Sequence, residues 1–177
     1  IDSHGVLKIV RKNEMHTPVY PNGTAICEIE IDPKTGSSTV TRYSTIDDVG
    51  RCINPLIVHG QTHGGIVQGA GQALFEHCFV DHKSGQPLAG SLMDYGISRA
   101  ADFPSFKTEI AEVLSPTNPL GIKAGGEGGT TPALAAIVNA VVDALADFGV
   151  EDIAMPVSPQ RIWTILQAAS LQSNQKP

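Results

Sequence analysis

The segment NPLIVHGQTHGGIVQGAGQALFE, from Asn54 to Glu76, combines a strong helix start with an unusual amount of glycine. Asn54-Pro55 is an N-cap residue followed by proline at the first helical position, which predicts a helix from Pro55 to about Phe75. Each glycine inside a helix costs about 1 kcal/mol relative to alanine. Some packing or binding role should therefore compensate for the five glycines of this segment, which are Gly60, Gly64, Gly65, Gly69 and Gly71.

A helical wheel of this segment separates an apolar side from a side rich in amides. Gln61, Gln68 and Gln72 fall together, with Gly64 and Gly65 beside them. Amide side chains both donate and accept hydrogen bonds, so this strip of bare backbone and amides suits a polar heterocycle. In the alternative, the glycines let another helix pack closely, and helix geometry alone slightly favours that alternative. The opposite side predicts an ordinary core stripe of Ile66, Val67, Ala70, Ala73 and Leu74.

His59 and His63 lie four residues apart on the same predicted helix, a spacing that can hold a metal ion. The glutamate that follows the first histidine in the metalloprotease motif is absent from HGQTH. Both histidines also fall toward the apolar side of the wheel. We therefore expect no metal site here.

A second segment, PLGIKAGGEGGTTPALAAIVNAVVDAL from Pro119 to Leu145, places Glu127 between two glycine pairs just before a helix. Thr131-Pro132 predicts the start of that helix, which should run to about Phe148. The loop lacks the Gly-Lys-Ser/Thr ending of a phosphate-binding P-loop. Its glycines expose the carboxylate of Glu127, and the helix N-terminus favours an anion nearby. Composition leaves two readings equally open, a surface turn residue or a general base.

The rest of the chain predicts an α+β fold with a β-hairpin, further strands and about three helices. Alternation in AICEIEI and the turn residues DPKTG predict an antiparallel hairpin over 25–46. Ser158-Pro159 predicts a third helix to about Ser170, followed by a disordered tail over 171–177. Further strand candidates are Phe79–Asp81, Leu92–Ile97 and Phe106–Leu114.

Composition and charge narrow the function classes. The net charge of −6 argues against a nucleic-acid partner, and no apolar run approaches the roughly 18 residues of a membrane span. The three cysteines, Cys27, Cys52 and Cys78, form no zinc or redox motif. They predict buried thiols in a reducing, cytoplasmic compartment. Because the sequence starts at Ile1 and not at methionine, we interpret it as a piece of a longer protein.

Three segments together carry a resemblance to a known family. DDVGRCINPLIVHGQTHGGIVQGAGQALFE, LMDYGISRAADFPSF and PTNPLGIKAGGEGGTTPALAAIVNAVVDAL resemble the C-terminal part of the molybdenum-binding large subunit of the xanthine dehydrogenase family. That family includes molybdenum-containing aldehyde oxidoreductases (relatives of aldehyde oxidase), aerobic carbon monoxide dehydrogenase and bacterial N-heterocycle hydroxylases. The similarity runs in order from about Pro21 to Leu166.

The resemblance implies an activity and a set of site residues. It implies a molybdenum hydroxylase that adds water-derived oxygen to an aldehyde or N-heterocycle, with Glu127 as the general base. It implies a molybdenum–molybdopterin cofactor, in the plain or the cytosine dinucleotide form, and no metal ligand from this chain. Iron–sulfur and FAD groups are then expected in other domains or subunits. The implied cofactor-binding residues are Gln61, Gly64, Gly65, Gln68, Gly125 and Gly126.

Residues 1–170 then form the C-terminal portion of a larger molybdopterin-binding domain, with the remainder of the large subunit, iron–sulfur and flavin subunits, and a small-molecule substrate as partners. We expect this chain to be inactive by itself. Two departures from the family's sequence pattern count against transferring its substrate preference to this chain. Ala124, Gly125 and Gly126 replace the usual Gly-Val-Gly before Glu127, and GGTTPALAA after it replaces the commoner Ala-Gly or Pro-Pro runs. The alternative hypothesis is a catalytically inactive binding or structural module of the same fold, which only assembles with partner subunits.

Overall fold

A computed structural model describes residues 5, 7–12, 14 and 16–173, with only the backbone of residues 172 and 173. Strands β1 (Asn22–Ile31) and β2 (Ser38–Asp48) form the predicted antiparallel hairpin. Strand β3 (Lys107–Ile110) lies parallel to β2 and completes a three-stranded sheet of order β1-β2-β3. Helices α1 (Pro55–Leu74), α2 (Thr130–Ala144) and α3 (Pro159–Ser173) complete the fold. The α+β expectation is confirmed.

Side-chain hydrogen bonds form the hairpin turn that the sequence predicts. The Asp32 carboxylate accepts from the Lys34 N–H at 2.9 Å and from the Thr35 hydroxyl at 2.9 Å. Gly36 adopts a φ of 72°, and a Cβ at this position would overlap the Pro159 carbonyl oxygen. The turn therefore packs directly against the first turn of α3, and only glycine fits there.

The three helices begin within two residues of the predicted starts, but their caps differ. Asn54 caps α1 through a hydrogen bond from the Ile57 N–H at 3.3 Å, and Ser158 accepts from the Arg161 N–H at 3.3 Å. α2 begins one residue before Thr131, with Gly129 at the N-cap and no side-chain cap. Helix α3 continues through Ser173, and the end of the predicted tail, 174–177, lies outside the described residues.

Two of the other three strand candidates are wrong. Leu92–Ile97 forms a turn, in which the N–H groups of Asp94 and Tyr95 donate to the Ser91 carbonyl. Phe79–Asp81 contributes only an isolated bridge between Val80 and Pro87. Among the described residues, neither segment pairs with a strand of the sheet. The third candidate forms a strand only over Lys107–Ile110.

The core has two parts on one face of the sheet. The first lies between the sheet, α1 and the first half of α2, and the second lies between the end of α2 and α3. Buried members of the first are Val40, Tyr43, Ile66, Ala70, Ala73, Leu74, Ala133 and Ile137. Buried members of the second are Val141, Leu145, Ile153, Val157, Ile162 and Leu166. No helix among the described residues is long and apolar enough to cross a membrane.

Glycines bring α1 and α2 into backbone contact. A Cβ at Gly69 would lie 2.6 Å from the Thr130 carbonyl oxygen, and a Cβ at Gly129 would overlap the Thr62 carbonyl oxygen. A Cβ at Gly60 or Gly64, in contrast, would meet no atom within 4 Å. The glycines of α1 are therefore of two kinds, those that face α2 and those that face open space.

An ion pair fixes the segment that leads to Glu127 onto the end of β2. Asp48 accepts from Lys123 Nζ at 2.5 Å, and both side chains are 11% exposed. Its other oxygen accepts from the Gly50 N–H at 2.8 Å and the Val113 N–H at 3.1 Å. The Val113 N–H thus donates to the Asp48 side chain and not to the backbone of β2, which explains why β3 is shorter than predicted.

We predict that Gly69→Ala destabilises the fold by about 1–3 kcal/mol, because the added methyl group overpacks the α1–α2 contact. Gly60→Ala is the matched control on the same helix. It should stabilise by up to about 1 kcal/mol, because it improves helix propensity in open space. Urea unfolding of the two purified variants measures both effects. Equal effects of the two substitutions would contradict the assignment of Gly69 to the helix contact.

We predict that Asp48→Asn destabilises the fold by about 1–3 kcal/mol at neutral pH, because it leaves the partly buried Lys123 ammonium without its counter-charge. Arg42→Met is the control. It removes an exposed ion pair with Glu28 (2.9 Å), which should change stability by no more than about 1 kcal/mol. Thermal unfolding of the variants compares the two losses.

The same pair predicts a pH dependence. Burial by itself would raise the pKa of Asp48, but hydrogen bonds from Lys123, Gly50 and Val113 outweigh burial and hold that pKa below its ordinary value of 3.8. The stability this carboxylate contributes is present above the unfolded pKa and is lost as the pH falls through the lowered folded pKa. Unfolding measured between neutral pH and about pH 3 should therefore show a smaller acid-dependent loss in Asp48→Asn than in the wild type. Identical acid-dependent losses would count against this role of the pair.

Candidate active site

The glutamate loop crosses from the end of the sheet to the first turn of α2. Before the loop, the Lys123 N–H donates to the Val49 carbonyl at 2.8 Å, and the Arg51 N–H donates to the Gly121 carbonyl at 2.9 Å. After it, the Thr131 N–H donates to the backbone carbonyl of Glu127 at 3.1 Å. Both ends of the loop are therefore held by backbone hydrogen bonds, while its glycines carry no side chain that could shield Glu127.

Glu127 lines a cleft of about 330 Å³ between the loop, the end of β2 and the start of β1. Its side chain is exposed, and within the described part of the chain no hydrogen bond or ion pair reaches its carboxylate. The first turn of α2 lies beside it. The other lining residues are Pro21, Asn22, Gly23, Asp47, Val49, Thr62, Gly125, Gly128, Thr131 and Pro132.

Gln61 of α1 joins the amide strip to the glutamate loop. Its Nε2 donates a hydrogen bond to the Gly126 carbonyl oxygen at 2.7 Å, although the two residues are 65 positions apart in sequence. Gln68 lies farther along the same exposed side of α1, where its Oε1 accepts from the Thr130 hydroxyl at 3.4 Å. The structure thus brings Gln61, Gly126 and Glu127 together at one edge of the fold.

The two adjacent glycines of α1 differ in their surroundings. Gly64 is exposed, and a Cβ there would meet no atom within 4 Å, so it lies on the open strip with Gln61 and Gln68. Gly65 is buried, and a Cβ there would lie 2.9 Å from the Thr130 nitrogen. The wheel placed both glycines beside the amides, but Gly65 faces α2 because the buried arc of α1 is wider than its apolar residues indicate.

Asp47 is a cleft residue that the sequence analysis did not identify. It is 6% exposed and lies on the inner face of the sheet, beside Gly23 of β1 and Ile110 of β3. Burial raises the pKa of its carboxyl, and a hydrogen bond from the Thr45 hydroxyl offsets part of that effect. The alternation in β2 contains the signal, because Asp47 follows Tyr43 and Thr45 at a period of two.

The two histidines of α1 share one hydroxyl group. His59 Nδ1 lies 2.8 Å and His63 Nε2 lies 3.1 Å from Thr108 Oγ1 of β3. Within the described residues, no group of three histidine, cysteine, aspartate or glutamate side chains is placed to hold a metal ion. Thr108 therefore supplies a structural partner for both rings.

The three cysteines are free thiols, and their exposure differs from the sequence-based expectation. Cys27 and Cys52 are half-buried, whereas Cys78 is exposed. Cys78 follows the end of α1, where the chain enters the long irregular connection to β3 and has no core to face. Burial raises the pKa of the Cys27 thiol to about 11, and the charge of Glu28 adds to this effect. Cys27 is thus protonated and unreactive at neutral pH.

The chain is similar in sequence to a family of cofactor-binding domains and to several known proteins. The sequence profile of the molybdopterin cofactor-binding domain matches residues 4–104. The gamma subunit of the 6-hydroxypseudooxynicotine dehydrogenase complex of Paenarthrobacter nicotinovorans is 44% identical over 151 residues. That alignment covers 84% of this chain and 18% of the relative, so the chain spans less than a fifth of the length of that protein.

Solved structures show the same fold. Carbon monoxide dehydrogenase from Oligotropha carboxidovorans superposes with a TM-score of 0.81 at 32% identity, over 86% of this chain and 19% of that chain. Quinoline 2-oxidoreductase from Pseudomonas putida 86 superposes with a TM-score of 0.75 at 42% identity, over 78% of this chain and 18% of that chain. On the match to this sequence profile and the similarity to these proteins, the chain belongs to the molybdopterin cofactor-binding domain family.

Proposed function

We propose that this chain is the C-terminal part of the large subunit of a molybdenum hydroxylase, in which Glu127 is the general base for hydroxylation of an aldehyde or an N-heterocycle. The observation that carries the proposal is the position of Glu127. Its carboxylate, which has no partner among the residues that the structure describes, stands at a cleft. The loop that carries it is held to the open amide strip by the Gln61 hydrogen bond. The likeness to quinoline 2-oxidoreductase favours an N-heterocycle over an aldehyde.

The residues beside Glu127 fit a pterin group. Gly64 and Gly126 face open space, so a flat ring system can approach the backbone closely. Gln61 and Gln68 supply amide donors and acceptors that match the polar edge of a pterin. Gly125 lines the Glu127 cleft, whereas Gly65 acts indirectly, by letting α2 lie against α1. Of the proposed cofactor-binding residues, Gly125 lines the cleft, four lie on the exposed side of α1 and the loop next to it (Gln61, Gly64, Gln68 and Gly126), and Gly65 is buried behind them.

The chemistry divides between the cofactor and this chain. When bound, molybdenum–molybdopterin supplies the redox step, taking two electrons from the substrate carbon. Glu127 accepts the proton of the water-derived oxygen nucleophile as that oxygen attacks the electron-poor carbon. The start of α2 lies beside the loop, and a helix N-terminus favours an anion nearby. Lys123 neutralises Asp48 and so holds the loop without contacting Glu127.

The proposed partners follow from the apolar surface near the site. Ile53, Leu56 and Ile57, at the start of α1, are 67%, 83% and 66% exposed. Contiguous apolar surface of this kind is typical of an interface. We propose that the remainder of the large subunit covers it, and that iron–sulfur and flavin subunits or domains take the electrons onward.

We predict that Glu127→Gln in the complete enzyme lowers kcat by about 10²–10⁴-fold or more, because the amide cannot accept the proton. Molybdenum content should stay near that of the wild type, because the substitution preserves size and lies in an open loop. Steady-state kinetics normalised to molybdenum by metal analysis give both values. Normal turnover at full molybdenum occupancy would leave Glu127 as a loop residue without a catalytic role.

We predict that Gln61→Ala lowers molybdenum and pterin content more than it lowers turnover per bound molybdenum, because it removes the hydrogen bond to the Gly126 carbonyl and an amide of the strip. Gln72→Ala is the matched control. Gln72 is exposed on the same helix and, within the described residues, forms no hydrogen bond to the loop. Equal cofactor content in the two variants would show that the hydrogen bond from Gln61 to Gly126 makes no contribution to binding beyond that of another amide of the same helix.

A further inference from the structure

Two consecutive aspartates at the end of β2 differ in how their charges are satisfied. Asp48 pairs with Lys123 and accepts two backbone hydrogen bonds. Asp47 points to the other face of the strand, where Oδ1 accepts one hydrogen bond from the Thr45 hydroxyl at 3.2 Å. Among the described residues, no hydrogen bond reaches its Oδ2 and no cation pairs with it. Asp47 is nevertheless only 6% exposed.

The sheet makes room for this carboxyl at the wall of the Glu127 cleft. Gly23 is the register partner of Asp47 on β1, and a Cβ at Gly23 would lie 2.5 Å from Asp47 Oδ1. The carboxyl therefore occupies space that a β1 side chain would otherwise fill. Asp47 and Glu127 line the same cleft, from the sheet side and from the loop side respectively.

A buried carboxyl without a cation destabilises the fold, since burial penalises its charged form. The raised pKa of Asp47 reflects that penalty. Asp47 lines the cleft and its Oδ2 is not enclosed by the described residues, so an occupant of the cleft is in position to supply a compensating partner. Because an ionised carboxylate only accepts hydrogen bonds, the occupant must donate one. The other walls combine glycines and small apolar residues, including Val49 and Pro132, with the polar side chains of Asn22, Thr62 and Thr131. This lining suits a flat polar ring.

We propose that Asp47 is a ligand-binding carboxyl of the Glu127 cleft, accepting a hydrogen bond from an N–H group of a nitrogen heterocycle. The cleft volume of about 330 Å³ falls in the range typical of small-molecule sites. The inference rests on the proposed function, because it takes the Glu127 cleft as the reaction site. The N–H group belongs either to the pterin of the cofactor or to the substrate, and the experiment below separates these two sources.

The test uses the complete large subunit, with Asp47→Asn and Asp47→Leu as the variants and Glu109→Gln as the control. The asparagine keeps the shape of the side chain and removes its charge, and the leucine removes the acceptor altogether. Glu109 is an exposed acid on the opposite face of the sheet, so its loss should change nothing at the cleft. Quinazolin-4(3H)-one, which carries a ring N–H, and its N3-methyl analogue, which does not, are the probe ligands.

Three quantities are measured for each variant. Molybdenum and released pterin per subunit report cofactor binding. The dissociation constants of the two probes, from isothermal titration calorimetry, report substrate-type binding. The thermal midpoint of the cofactor-free subunit, produced in a host that makes no molybdopterin, reports the contribution of Asp47 to the fold.

If the pterin supplies the N–H, cofactor content falls about 10-fold or more in both Asp47 variants. If the substrate supplies it, cofactor content is retained, binding of the N–H probe weakens about 10-fold or more, and binding of the N-methyl analogue does not change. In either case the cofactor-free midpoint stays the same or rises, because a charge-burial penalty has been removed.

Unchanged cofactor content together with unchanged probe binding would overturn the proposal. A lowered midpoint in the cofactor-free variants would also overturn it, because Asp47 would then be a structural partner of another part of the subunit. Normal turnover of the Glu127→Gln variant would contradict the proposed role of Glu127 but not the binding role of Asp47. The cofactor content and the probe affinities of the Asp47 variants test that binding role independently.

Discussion

The contact between the glycine face of α1 and the first turn of α2 is the constraint on which the rest of this structure depends. Gly65 and Gly69 lie against Gly129 and Thr130, where a Cβ would overlap backbone atoms. Helices in ordinary contact lie 8–10 Å apart, and only glycine permits a closer approach. Because Glu127 precedes Gly129 by two residues, this contact also determines where the carboxylate stands relative to Gln61.

Two separate contacts hold the ends of the glutamate loop. The ion pair between Asp48 and Lys123 fixes the approach to the loop, and the α1–α2 contact fixes its exit. Between these anchors, the glycines leave the loop backbone bare, and one side-chain hydrogen bond from Gln61 to Gly126 restrains it. The stabilising contacts thus lie on either side of the loop, whereas Glu127 and Asp47 have no charged partner within the part of the chain that the structure describes.

Neighbouring residues of the same type have opposite roles in two places. Gly64 faces open space and Gly65 faces α2, although the wheel groups them together. Asp48 is fully paired and Asp47 is not, although the sequence reads simply as IDDVG. In both cases the difference comes from a neighbour distant in sequence, either the first turn of α2 or Lys123.

The sequence by itself determined the local structure, since the hairpin, the three helix starts and the α+β class follow from alternation, turn residues and proline-linked caps within a few positions of one another. Through the resemblance of their motifs it also predicted site roles for Glu127, Gln61 and Gln68, and these roles remain predictions. The tertiary structure alone decided that Leu92–Ile97 is a turn, that β3 stops at Ile110, that Gly65 is buried and that Asp47 lines the cleft. Each of these depends on which backbone or side-chain group of a distant segment lies opposite, and local propensity carries no information about that partner.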